Sequence, residues 1–126
     1  MSSGSHFSAD VSAWVKKAGD QSDVFCRVFC SEMAERVVMR TPVDTGAARA
    51  GWQSSINGSV AGDAATVTLS AAQMKAGDTF VLTNNVAYIR KLEYGWSQQA
   101  PNGMVRVTLA EAPSIAQHVL AKVTSL

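Results

Sequence analysis

The sequence predicts an α+β fold in which two N-terminal helices and a long C-terminal helix pack on a small antiparallel sheet of three to four strands. Three observations support this prediction. Apolar residues recur at helical spacing within the first 40 residues and again within the last 20. Between these regions, β-branched and aromatic residues are separated by turn sequences such as Asn57-Gly58 and Gly77-Asp78. Because the connections are short, we expect antiparallel strands.

The N-terminal region predicts a short helix followed by a longer one. Residues 1–7 are rich in Ser and Gly and are expected to form a flexible tail, after which Ser8 can cap a helix that ends at Gly19. The second helix is expected to begin within 20–23, where two acidic residues suit a helix N-terminus, and to end before Pro42. Its apolar face, the expected spine of the core, consists of Phe25, Cys26, Val28, Phe29, Cys30, Met33 and Val37.

The middle of the chain changes from helical to strand-like periodicity. Residues 41–51 contain Pro, Asp, Thr and two glycines, a composition that predicts an ordered loop. The three expected strands span 52–60, 65–70 and 79–83. Residues 71–76 separate the last two strands and suit a turn of helix. A short helix is predicted over 85–95, where apolar residues have helical spacing before a glycine.

The C-terminal segment has the most regular helical pattern. Its apolar residues are spaced 4, 3, 4, 3 and 4 positions apart, at Val105, Leu109, Ala112, Ala116, Val119 and Val123. Pro113 lies within the pattern, but the phase continues across it, which favours one kinked helix over two elements. A strand over 104–109 is the alternative.

Length and composition restrict the class of function. A chain of 126 residues suits one domain, expected here over 8–124. A hydrophobic content of 47% argues against a disordered chain, and a charged content of only 17% is typical of surfaces that other proteins cover. The formal net charge of +1 provides no basic excess for binding a phosphate backbone.

Several functional sites are disfavoured by the residues present. Cys26 and Cys30 have no cluster of His or Asp nearby, so we expect small buried thiols in a reducing cytoplasm rather than a zinc site. His6 and His118 are expected at the surface, and the glycines form no nucleotide-binding motif. The N-terminus lacks a signal-peptide pattern, and no apolar stretch approaches the roughly 18 residues needed to span a membrane. We predict no cofactor and no metal.

The sharpest short motif is Asp44-Thr45-Gly46-Ala47, which matches the active-site turn of aspartic proteases. One copy per chain would suit a homodimeric enzyme whose two carboxylates share a proton. Such a turn follows an apolar strand, whereas a long predicted helix precedes it here. The favoured alternative is an ordered loop in which Asp44 or Thr45 accepts amide hydrogen bonds and Gly46 has a positive φ.

A second cluster, over 84–106, combines aromatic and charged side chains around a polar loop at 96–103. It includes Tyr88, Arg90, Lys91, Glu93, Tyr94, Trp96 and Arg106. Tyr, Trp and Arg are the residues enriched at protein interface hot spots. Tyr88 and Tyr94 could instead lie at the edge of the core, and the mixture could stack on single-stranded nucleic acid, which the neutral charge disfavours.

The order of several sequence blocks is recognisable. A long helix is followed by Thr41-Pro42-Val43-Asp44-Thr45-Gly46 with Arg49 and Trp52, by Asn84-Asn85-Val86-Ala87-Tyr88, by Leu92-Glu93-Tyr94-Gly95, and by Gln99-Ala100-Pro101-x-Gly103-Met104-Val105-Arg106. Together they resemble the gene-product-ten-like tail components of long-tailed bacteriophages over 8–122. The family usually has a small residue near position 96, where this chain has Trp96.

The resemblance implies a structural protein of the virion with neither enzymatic activity nor cofactor. Its role would be similar to that of the tail-completion, or neck, proteins that join the tail to the head connector. A tail-terminator ring that caps the tail tube is the alternative within this class. The implied partners are connector or stopper, tail-terminator and tail-tube proteins, in a ring built from head-to-tail contacts. Assembly would take place in the bacterial host cytoplasm, and isolated subunits could be monomeric.

We therefore expect the loop 41–52 to pack against 88–106, with Glu93 paired with Arg49 or with Arg106. The candidate structural and interface residues are Pro42, Asp44, Thr45, Gly46, Arg49, Trp52, Tyr88, Arg90, Glu93, Tyr94, Gly95, Trp96, Pro101 and Arg106. A surface over 88–106 that is covered in the assembled particle is the main expectation. A homodimeric aspartic protease and a small nucleic-acid-binding module remain the alternatives from other classes.

Overall fold

The computed structural model describes residues 3–43 and 46–125 and has an α+β architecture, as predicted. In chain order its elements are α1 (Ser3–Arg40), α2 (Ala47–Ala50), β1 (Trp52–Ile56), β2 (Ser59–Asp63), α3 (Val67–Ala71), β3 (Phe80–Asn84), α4 (Ile89–Glu93) and α5 (Val105–Thr124). The long helices α1 and α5 run antiparallel. Arg40, at the end of α1, donates a hydrogen bond of 3.0 Å to Thr108 near the start of α5. Phe25 packs farther along, on the cluster that contains Val123.

The N-terminal region forms one helix rather than two, so the predicted break at Gly19 is wrong. A glycine costs a helix only about 0.5–1 kcal/mol relative to alanine, which a long helix tolerates. An ion pair of 3.4 Å between Lys16 and Asp20 also spans the position. The helix begins before the predicted cap at Ser8. The flexibility of residues 1–7 stays a prediction.

The sheet has three antiparallel strands in the order β2-β1-β3. The predicted strand over 52–60 is a hairpin, because Asn57 and Gly58 both have positive φ, at 54° and 87°. This pair of conformations is required by the type I′ turn, whose twist matches the strands that it connects. Strand β3 pairs along the whole of β1, from Trp52 opposite Asn84 to Ile56 opposite Phe80.

The predicted strand over 65–70 is wrong, because the chain forms helix α3 there. The carboxylate of Asp63 accepts hydrogen bonds of 3.2 Å from the amide of Ala65 and from the hydroxyl of Thr66, which turns the chain before the helix. The buried residues of α3 are Val67, Ser70 and Ala71, which have helical spacing. Packing of this face against α1 outweighs the strand propensity of the Val and Thr residues.

Two short helices, α2 and α4, differ from the prediction in their presence or length. Helix α2 lies within 41–51, which was predicted to contain no helix, and helix α4 is shorter than the predicted helix over 85–95. Gly46 precedes α2 with φ of 76°, as predicted. Asp44 and Thr45 lie outside the described residues, so their predicted hydrogen bonds stay predictions.

Helix α5 continues through Pro113, as predicted, and the alternative strand over 104–109 is wrong. Its buried residues are Thr108, Ile115, Val119 and Val123, so the predicted stripe matches at Val119 and Val123 and differs in the first half of the helix. Leu109, a member of the predicted apolar stripe, is 58% exposed. In the second half of α5, the α1 residues Val24, Phe25, Val28, Phe29 and Met33 pack on Ile115, Val119 and Val123.

Candidate functional site

The most highly connected polar residue in the predicted interface segment is Glu93, at the end of α4. Its Oε1 accepts hydrogen bonds from the backbone amides of Met104, at 3.0 Å, and Val105, at 2.8 Å. Its Oε2 accepts a third from the amide of Arg106, at 3.0 Å. These amides begin α5 and have no acceptor within the helix. Glu93 therefore caps α5 from another element, and its charge is favourable at the positive end of the helix dipole.

The side chain of Arg106 completes this arrangement. Its Nε donates to Oε2 of Glu93 at 3.1 Å, and its Nη2 donates to the backbone carbonyl of Glu93 at 2.6 Å. Burial of the Glu93 carboxyl raises its pKa, but the three amides and the Arg106 guanidinium outweigh burial and hold the pKa below its usual value. Glu93 is therefore an anion that holds α4 against the start of α5.

Two glycines allow the chain to approach Glu93 closely. Gly103 has φ of 87°, and a Cβ at this position would overlap the backbone carbonyl and the carboxylate of Glu93. Gly95 has φ of 89°, and a Cβ there would overlap the carbonyl oxygen of Pro101. Both positions therefore need glycine for conformation and for space. The blocks 92–95 and 99–106 thus form one structural unit, which we call the Glu93 cradle.

Two exposed aromatic side chains lie beside the Glu93 cradle, and each is covered on one face by a cation. The guanidinium of Arg106 lies 4.8 Å from the ring centre of Tyr94, and Nζ of Lys91 lies 4.7 Å from that of Trp96. Tyr94 is 68% exposed and Trp96 is 72% exposed. Cation–π contacts of this kind hold large side chains in place while leaving their other surface accessible.

The loop 41–52 and the segment 88–106 lie against each other, as predicted. The amide of Val43 donates to Oε1 of Gln99 at 3.1 Å. Trp52 is 5% exposed and packs in one buried cluster with Ala100 and Met104. The indole of Trp52 also donates to the hydroxyl of Thr41 at 2.8 Å. The contact between the two segments is therefore part of the core.

The structure decides between the two predicted partners of Glu93 in favour of Arg106. Arg49, the other candidate, donates from Nη2 to the carbonyl of Met39 at 2.7 Å. It therefore caps the C-terminal end of α1, where a cation also suits the helix dipole. The alternative pairing of Glu93 with Arg49 is wrong.

The candidate residues fall into groups with different accessibility. Those on the surface are Tyr88, Arg90, Tyr94, Trp96, Pro101 and Arg106. Pro42 and Trp52 are buried, and Gly46, Arg49, Glu93 and Gly95 are partly buried. Asp44 and Thr45 lie outside the described residues. The exposed group is accessible to a partner, and its interface role stays a prediction.

Two surface features were not predicted as sites from the sequence. One is an exposed apolar face near the start of α1, formed by Val11, Trp14 and Val15. The other is an apolar groove between α1, β3 and α5, whose edge includes Leu109. The available signal was the one-face spacing of Val11, Trp14 and Val15, which the predicted break at Gly19 assigned to a separate short helix.

The remaining groups provide few chemical options. Cys26 and Cys30 are free thiols, and burial, followed by the proximity of Cys26, raises the pKa of Cys30. Within 3–43 and 46–125, no three His, Cys, Asp or Glu side chains are grouped to hold a metal ion. None of the described helices combines the length and apolar character required to cross a membrane. No protein-family model, no curated protein and no solved structure matches the chain.

Proposed function

We propose that this chain is a structural protein of a long-tailed bacteriophage virion, a tail-completion or neck protein that joins the tail to the head connector. The observation that carries the proposal is the ordered set of blocks that resembles the tail-component family. Two of these blocks, 92–95 and 99–106, build the Glu93 cradle, and a third, with Pro42 and Trp52, packs behind it. The quoted residues therefore have a shared structural reason to occur together.

The surface beside the Glu93 cradle supports a function in protein binding. Tyr94 and Trp96 present large apolar surfaces, and their cation contacts limit the rotamers available to them. Binding then costs less side-chain entropy than it would for freely rotating aromatics. Exposed Tyr, Trp and Arg residues in one patch are the composition found at interface hot spots.

A joining protein acts by presenting complementary surfaces to different neighbours, and a ring of head-to-tail contacts presents the same surfaces at each repeat. In this arrangement the Tyr94 and Trp96 surface contacts a neighbouring subunit or a tail protein. The host cytoplasm is the site of assembly, and the neck region of the virion is the final location.

The proposal is tested in a phage that encodes this chain. We expect a deletion to produce full heads and tails of normal length that do not join, as seen by electron microscopy. Tails of uncontrolled length would instead favour the terminator role, because an uncapped tube can keep growing. Joined, infectious particles in the absence of the chain would contradict both roles.

Point variants then test the surface. Trp96→Ala, combined with Tyr94→Ala, is expected to leave heads and tails unjoined while the chain stays folded. Lys122→Ala, an exposed change on α5, is the matched control and should support joining. For the protease alternative, Asp44→Asn is compared with the unchanged chain on phage structural proteins, and cleavage that depends on Asp44 would replace the proposal.

A further inference from the structure

The first part of α1 extends past the other elements of the molecule. The C-terminal end of α5 meets α1 from Ala18 onward, where Ala18, Gln21 and Phe25 share a cavity with Val123 and Thr124. The preceding residues 10–17 are all exposed. We call residues 10–17 the arm, and at 1.5 Å per residue they form about 12 Å of helix.

One face of the arm is apolar. Val11 is 43% exposed, Trp14 is 70% exposed and Val15 is 56% exposed. With Ala18 they have the spacing of a single helix face, which continues toward Phe25, where α1 packs on α5. The arm thus extends an apolar face that is covered farther along the same helix. A tryptophan buries about 150–250 Å² when it docks, so Trp14 is the main potential contact.

The second feature is the groove between α1, β3 and α5, with a volume of about 390 Å³. Its walls include Phe29 of α1, Leu82 of β3 and Leu109 of α5, and the buried Trp52 lies among its lining residues. Asp78 is the one charged side chain among the described residues that line it. The carboxylate of Asp78 accepts hydrogen bonds of 3.0 Å from Asn57 and from the amide of Lys75, which hold it in place.

The arm cannot occupy the groove of its own chain while α1 is continuous. Trp14 and Phe29 are 15 positions apart on the same helix, which separates them by about 22 Å along the axis. The arm and the groove nevertheless have complementary character. Lys17 flanks Trp14 on the arm, whereas Lys16 is paired with Asp20, and an acidic side chain, Asp78, lies in the groove. The arm of a second copy can therefore reach the groove that the arm of the first copy cannot reach.

We propose that the arm of one copy docks in the groove of a second copy, with Trp14 packed against Phe29 and Leu109 and Lys17 of the arm near Asp78. This is the helix-in-groove mode of recognition, and it does not depend on a role in the virion. The contact is head-to-tail, so it can close as a reciprocal pair or as a ring. One docked arm buries less than the roughly 1,200–2,000 Å² of a stable interface, so a single contact is weak. In a closed pair or ring each copy makes two such contacts. We therefore expect association at high protein concentration.

The full chain provides its own test, because Cys26 and Cys30 line the groove. A chain with Val15→Cys, Cys26→Ser and Cys30→Ser carries a thiol on the arm alone, while the unchanged chain carries thiols only in the groove. The two chains, differently tagged, are mixed and treated with a short bismaleimide. We expect a covalent heterodimer, because the arm of one chain then lies in the groove of the other. The triple variant alone controls for contacts between arms.

Analytical ultracentrifugation measures the same contact without a crosslinking reagent. Trp14→Ala is expected to weaken self-association at least tenfold, and Leu109→Gln is expected to weaken it from the groove side. Leu69→Ala, which shortens an apolar side chain that is 71% exposed on α3, should leave association unchanged. The proposal would be overturned if the chain stayed monomeric at about 1 mM or if Trp14→Ala did not change its association. It would also be overturned if Val15→Cys, with Cys26 and Cys30 kept, formed a crosslink within one chain. That crosslink would show that the arm folds back at Gly19 onto its own groove.

Discussion

The side chain of Arg106 donates two hydrogen bonds to Glu93, one from Nε to the carboxylate at 3.1 Å and one from Nη2 to the backbone carbonyl at 2.6 Å. The same carboxylate accepts the first free amides of α5. A single side chain therefore links α4, the loop that ends at Gly103 and the start of the C-terminal helix. The exposed Tyr94 follows Glu93 directly, so the interaction of Glu93 with Arg106 and α5 restricts the position of the surface formed by Tyr94 and Trp96.

Glu93→Gln tests the contribution of the charge. The amide keeps the shape of the side chain but presents one acceptor oxygen fewer and no charge, so we expect the free energy of unfolding to fall by about 1–3 kcal/mol. Urea unfolding measures this difference. Glu35→Gln, a change at an exposed acid on α1, is the control and should have little effect. Equal effects of both substitutions would contradict the role of Glu93 as a helix cap.

The pH dependence of stability has a defined sign. The folded state lowers the pKa of Glu93 below its usual value of 4.5, so the contribution of this carboxylate is fully present above that value. It is lost as the pH falls through the lower pKa of the folded state. We expect the difference between the unchanged chain and Glu93→Gln to shrink as urea unfolding is repeated at decreasing pH below 4.5. A difference that stays constant with pH would refute the charge-based explanation.

Gly103→Ala tests the close approach to Glu93. The substitution combines a positive φ with an overlap of Cβ and the Glu93 carbonyl. Gly77→Ala is the matched control, because Gly77 has φ of 92° but no atom within 4 Å of the added Cβ. We expect a cost of about 1 kcal/mol for Gly77→Ala and at least about 2 kcal/mol for Gly103→Ala, measured by thermal unfolding. Similar costs for the two variants would mean that the loop moves to admit the methyl group.

Trp52 and Trp96 should respond in opposite ways to truncation. Trp52 is buried and donates a hydrogen bond to Thr41, so Trp52→Ala is expected to cost about 3–5 kcal/mol. Trp96 is exposed, so Trp96→Ala should change stability by less than about 0.5 kcal/mol. Circular dichroism during urea unfolding checks both. A large loss of stability in Trp96→Ala would assign this side chain to the fold rather than to a contact surface.

Gly19→Ala should stabilise the chain. The residue lies inside α1, and nothing lies within 4 Å of an added Cβ. We expect a gain of about 0.5–1 kcal/mol and increased helical circular dichroism, because alanine loses less conformational freedom on folding. If the arm docks as a straight helix, sedimentation should show self-association that is unchanged or stronger. Weaker association would instead indicate that a bend at Gly19 is needed.

Predictions from the sequence were most successful where neighbouring residues decide the conformation. The apolar period of 105–123 predicted α5 through Pro113, and the φ values of Gly46 and Asn57-Gly58 follow from local chemistry. The predicted strand over 65–70 failed because Val67, Ser70 and Ala71 form a buried face and α3 packs on α1. Local propensity contains no information about that distant surface.

The sequence by itself determined the class of fold, the two long apolar faces and the small set of charged partners open to Glu93. Only the tertiary structure decided that Arg106 holds Glu93 while Arg49 caps α1, and that Trp52 is buried while Trp14 and Trp96 are exposed. The physical reason is the distance along the sequence between the residues that interact. Helix and turn formation depends on residues within about four positions, whereas partner choice and burial depend on which distant elements the packed chain brings within hydrogen-bond distance.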